Sequence, residues 1–76
     1  MMASWYRRRI ITPVTQQDHD AVRYVQRVMT LPETGELDDL TACRIRGLQA
    51  LFGLVVTGAI DDATATQINR IWPEGA

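Results

Sequence analysis

Four aspartates set as two pairs are the residues of this chain best suited to chemistry. Asp38-Asp39 and Asp61-Asp62 stand 23 residues apart. Paired carboxylates serve glycoside hydrolysis, where one is a protonated acid and the other a base or nucleophile. A neutral acid needs a hydrophobic pocket, whereas each pair here falls where a helix would begin. There the first Asp accepts backbone N–H bonds and the second suits the positive end of the helix dipole. Capping accounts for all four, and no catalytic residue is assigned. His19 has no second His or Cys at ligand spacing, so a solvated side chain is expected, with no metal and no cofactor. Cys43, the one cysteine, is expected to be a small buried residue rather than a reactive thiol.

Three other groups of residues are candidates for binding. Gln26 and Gln49 occupy equivalent places, and each either hydrogen-bonds a ligand or ties down a neighbouring loop; their symmetry favours the loop. Arg23, Arg46 and Arg70 recur every 23 or 24 residues, which places them around a common surface. There they meet ligand carboxylates or are solvated and paired with nearby Asp. Trp5, Tyr6, Arg7, Arg8, Arg9, Ile10 and Ile11 form the most interface-like cluster, since Trp, Tyr and Arg are enriched at binding hot spots.

These residues are placed by an internal repeat. With residues 43–65 laid on 20–42, nine of 23 positions are identical. The shared block is Thr-Gly-x-(Leu/Ile)-Asp-Asp-x-Thr at 34–41 and 57–64. Gly35 and Gly58 suit a tight turn. Leu37 and Ile60 follow as core anchors. Asp38 and Asp61 cap a helix, with Thr41 and Thr64 three residues on in the manner of a capping box. Three helices are predicted. The first starts near Thr15, with Asp18 in its first turn, and turns Ala21, Val22, Val25, Val28 and Met29 inward. The second runs from about Asp39 to Phe52 with Ile45, Leu48, Leu51 and Phe52 inward, and Gly53 stops it. Gly47 in its middle is expected to mark a close helix contact. The third runs from about Asp62 to Trp72, with Ala65, Ile68, Ile71 and Trp72 inward, until Pro73 ends it.

A chain of 76 residues with 46% apolar content and net charge −1 makes one small folded domain with no global field for nucleic acid. No apolar run reaches the length of a membrane span. Residues 1–14 carry three arginines and no acid, so a +3 arm precedes a −4 domain at 15–76. The arm is expected to be extended and held by another chain. Its arginines precede no apolar stretch of the kind a secretory signal has, so no export route is expected.

The doubled block resembles the peptidoglycan-binding-like domain family. The matching residues are Val22-Arg23-Tyr24-Val25-Gln26, Gly35-Glu36-Leu37-Asp38-Asp39-Leu40-Thr41, Ile45-Arg46-Gly47-Leu48-Gln49, Gly53-Leu54 and Thr57-Gly58-Ala59-Ile60-Asp61-Asp62-Ala63-Thr64. The family has an aromatic residue before the second Gln where this chain has Leu48. The resemblance implies a compact all-α, three-helix domain without chemistry of its own. Two settings are expected from it. In the first, a bacteriophage virion carries the protein, the arm docks on other virion proteins and the domain meets host peptidoglycan. In the alternative, the chain is a stand-alone cell-wall binding module that assists a separate hydrolase. Arg23, Arg46, Arg70, Gln26 and Gln49 would then face the ligand. Neither a membrane nor a specific nucleic acid is expected as a partner.

Overall fold

A computed structural model describes residues 3–74. Its helices are α1 (His19–Val28), α2 (Asp39–Leu51) and α3 (Asp62–Ile71), with a 3-10 turn at Gln16–Asp18 before α1. Among the described residues no strand forms, and one antiparallel bridge joins Ile10 to Ile60. The domain is all-α.

The two loops begin and end by the same devices. Both α1 and α2 close with a Schellman motif. The Leu31 N–H reaches the Gln26 carbonyl at 2.8 Å and the Thr30 N–H reaches Arg27. Leu54 and Gly53 repeat this on Gln49 and Ala50. The residue at the turn must be left-handed, with φ +60° at Thr30 and +69° at Gly53. Each loop then ends in an aspartate cap. Asp38 Oδ1 accepts from the Thr41 N–H and Asp61 Oδ1 from the Thr64 N–H, both at 2.9 Å.

The core is made by Val22 and Val25 of α1, Ile45 and Leu48 of α2, Ala65 and Ile68 of α3, and the anchors Leu37 and Ile60. Burying each branched side chain contributes about 1.5–3 kcal/mol. Several expected inward positions prove to be outside. Thr41, Ile45, Leu48 and Gln49 set the inward stripe of α2. At 100° per residue Leu51 lies well off that stripe, and Gly47 and Cys43 lie nearly opposite it. Leu51 is 78% exposed, Phe52 at the helix end is 43% exposed, and Ile71 in the last turn of α3 is 36% exposed. Cys43 is exposed rather than buried. Gly47 marks no close helix contact, since a Cβ there would meet no atom of a neighbouring element within 4 Å.

The first helix also begins differently. Thr15 makes no side-chain bond to the backbone. Its hydroxyl instead donates to Asp18 Oδ2 at 2.8 Å. That carboxylate also takes Arg8 Nε at 3.3 Å, and α1 starts only at His19.

The arm is held by its own domain. Ala3, Tyr6 and Ile10 are buried in the common core. The Ile10 N–H and carbonyl exchange bonds of 2.9 Å with Ile60. The Tyr6 hydroxyl donates to Asp62 Oδ1 at 2.5 Å. Trp5 lies against Tyr24, ring centres 5.3 Å apart. Arg8 reaches Thr15 and Gln17 as well as Asp18. The docking role expected for Tyr6 and Ile10 is therefore corrected: apolar burial and polar pairing consume both within the chain. Trp5 and Arg8 are largely consumed too, while Arg7, Arg9 and Ile11 remain exposed.

Candidate functional site

At the centre of each loop sits a glutamine. Gln26 and Gln49 are both fully buried. The Gln26 amide nitrogen has two hydrogens and lies within 3.0 Å of three oxygens: Thr34 Oγ1, the Glu36 carbonyl and Thr41 Oγ1. Its Oε1 accepts the Gly35 N–H at 2.9 Å. Gln49 Nε2 likewise reaches Thr57 Oγ1, the Ala59 carbonyl and Thr64 Oγ1, at 3.1, 3.0 and 2.9 Å. Its Oε1 takes two backbone donors, Thr57 and Gly58. Both side chains are bonded at oxygen and nitrogen and are out of reach of solvent. Gln26 and Gln49 tie down their own loops, the reading that their symmetry favours, and the ligand-facing role implied by the resemblance is set aside.

The arginine three residues before each glutamine covers that loop's glycine. A Cβ on Gly35 would stand 3.2 Å from Arg23 Cζ, and one on Gly58 would stand 3.2 Å from Arg46 Nη1. Both glycines are left-handed, at φ +77° and +75°. Gly35 and Gly58 thus serve conformation and close approach together.

Beyond this shared frame the repeats part. In the first, Arg23 Nη1 donates to Asp20 at 2.6 Å. The His19 ring, half-buried rather than solvated, sets Nδ1 2.7 Å from the Gly35 carbonyl and 3.4 Å from Glu36. In the second, the same three places hold Ala42, Cys43 and Ala59. Two carboxylates and an imidazole have become two methyls and a thiol.

A groove of about 240 Å³ opens there. Arg9, Ile11 and Thr12 of the arm form one wall, Ala42 and Arg46 of α2 another, and Thr57, Gly58 and Ala59 of the second loop a third, with Leu37 completing it. The Arg9 and Arg46 guanidiniums have no acidic partner among the described residues, unlike Arg8, Arg23 and Arg27. Arg23 is paired and lies over the filled loop. Arg70 is exposed at the end of α3, outside this groove. Of the three arginines expected to share a surface, the groove uses Arg46 and adds Arg9. Residue type alone put Arg9 in the interface-like cluster of the arm, and nothing in its spacing places it beside Arg46.

A second hollow of about 230 Å³ lies across the arm, between Trp5 and Arg7 and the start of α1 at Gln17, Asp18 and Asp20. Asp18 is already engaged there by Arg8 and Thr15. Elsewhere the capping carboxylates are committed as well. The Thr41 hydroxyl and N–H hold the Asp38 carboxyl below its ordinary range, the direction of a stable carboxylate and not of an acid catalyst. No group of three or more potential metal ligands occurs among the described residues, and no helix among them is long and apolar enough to cross a membrane. In comparisons with family models, curated proteins and solved structures, nothing matches this chain.

Proposed function

We propose that this chain is a non-catalytic peptidoglycan-binding-like module whose working surface is the open face of its second repeat. One observation carries the reading. The two repeats keep the same glutamine-centred loop, yet only the second leaves its arginine uncompensated beside an open groove. A structural role alone gives no reason for that loss, because pairing in the first repeat is compatible with the same loop. Stem peptides of peptidoglycan bear carboxylates, which a free guanidinium recognises. The engaged cap of each aspartate pair supports a binding role without a reaction.

Sedimentation with purified insoluble peptidoglycan tests this. The full chain is expected in the pellet at low salt, and Arg46→Gln in the supernatant. Wild-type protein that stays in the supernatant at every salt concentration overturns the reading.

The setting in a bacteriophage particle is a second proposal. It is supported by the exposed Arg7 and Ile11, which the arm leaves free of the core. It requires the chain to be found in purified virions by mass spectrometry. Absence there removes the setting and leaves wall binding untouched.

A further inference from the structure

We infer that the groove of the second repeat is a clamp for the free carboxylate of a peptide end, with the arm supplying one of its two cations. The inference rests on the binding-module reading and names the chemistry that the groove selects. Arg46 comes from α2 and lies over Gly58. Arg9 comes from the arm and borders the same space. Each guanidinium presents N–H donors in a planar fork that matches a carboxylate. Both guanidiniums border one small groove without an ion-pair partner among the described residues, so both are available to a bound anion. Acids are absent from its lining, which leaves nothing to neutralise the pair from within.

The remainder of the lining fixes what accompanies the carboxylate. Ile11, Leu37, Ala42 and Ala59 are apolar. The alanines replace His19 and Glu36 of the first repeat, so the space was opened by removing bulk as well as charge. At about 240 Å³ the groove falls below the ~300–1,000 Å³ of small-molecule sites. It suits one or two residues of an extended chain with small apolar side chains. The arm's place in this wall is secured by the Ile10–Ile60 bridge one residue from Arg9.

The probes are N-acetyl-alanyl-alanine as the free acid and as its C-terminal amide, titrated into the full chain and followed by amide chemical shifts. The acid is expected to move the Gly58 and Ala59 resonances, and the amide to bind about tenfold more weakly or worse. Arg9→Gln and Arg46→Gln are each expected to weaken the acid about tenfold. Arg44→Gln, on an exposed part of α2, leaves it unchanged. All three side chains are exposed, and retained spectral dispersion confirms that the variants fold. Equal binding of acid and amide overturns the inference, as does wild-type affinity in both Arg9→Gln and Arg46→Gln. If wild-type protein sediments with peptidoglycan but binds acid and amide equally, the module reading stands and the clamp falls. If the acid binds but wall material is not retained, the clamp stands and the module reading falls. Preference for the D,D isomer assigns the carboxylate to wall peptides, and preference for L,L assigns it to a protein C-terminus.

Discussion

The first and second loops share a skeleton and differ in their outer faces. Each is fixed by a buried glutamine, closed by a Schellman turn and started again by an aspartate cap. On the first face Arg23 is paired with Asp20, and His19 meets the Gly35 carbonyl. On the second, Arg46 has neither kind of neighbour. Positions that carry the loop are the same in both repeats, while the positions around each arginine are charged in the first and small and uncharged in the second. The contrast separates what the fold requires from what a surface is free to become.

The comparison breaks most severely at its shared part. Gln26→Ala and Gln49→Ala each remove a fully buried amide. Each is expected to cost at least ~3 kcal/mol in denaturant unfolding, from orphaned donors plus a cavity. Gln49→Ala is the worse of the two, because its Oε1 leaves two backbone N–H groups unpaired where Gln26 leaves one.

Copying the first face onto the second sharpens the contrast. The combined Ala42→His, Cys43→Asp and Ala59→Glu variant restores an acid beside Arg46 and fills the groove. Wall retention and peptide-acid binding are both expected to fall about tenfold or more, and unfolding stability is expected to fall as well, since Ala59 is buried and a carboxylate there loses solvation.

The left-handed turn gives a smaller, opposite effect. Thr30 holds φ +60° where the second repeat has Gly53. A β-branched residue there costs roughly 1–2 kcal/mol. Thr30→Gly is expected to raise stability by about 1 kcal/mol and Gly53→Thr to lower it by a similar amount, both read by thermal unfolding.

The smallest effect at neutral pH lies in the arm. Burial first, and then the bond to Asp62, raise the Tyr6 hydroxyl well above its ordinary pKa of 10.0. Above pH 10.0 the unfolded chain releases this proton while the folded chain keeps it, so stability falls as pH rises. The contribution is complete below pH 10.0 and is lost as pH climbs toward the folded-state value. Tyr6→Phe is expected to flatten that alkaline decline relative to wild type.

Most of the frame was legible in the chain. The helix starts at Asp39 and Asp62, the caps, the turn glycines and the loop glutamines all follow from a doubled pattern with local causes. What escaped is non-local. The excess charge of the arm pointed to another chain, yet Arg8 finds Asp18 and Tyr6 finds Asp62 within the same domain. Sequence spacing says nothing of which distant acid a tyrosine will reach. Leu51 and Phe52 read as core because they are apolar, but Leu51 lies off the inward stripe of α2 and Phe52 sits at its end. Arg9 carries no motif, and its place beside Arg46 depends on the bridge at Ile10.

One contact of the arm has a consequence for how such a unit travels. The Ser4 amide donates to the Glu74 carboxylate at 2.7 Å, and the Ser4 hydroxyl meets the same group. Entry to and exit from the fold are therefore neighbours. A unit of this form can be spliced into a surface loop of a host protein without prising its ends apart, and joining the two ends to open the chain elsewhere should be well tolerated. The strap that closes the core also makes the fold portable as a cassette.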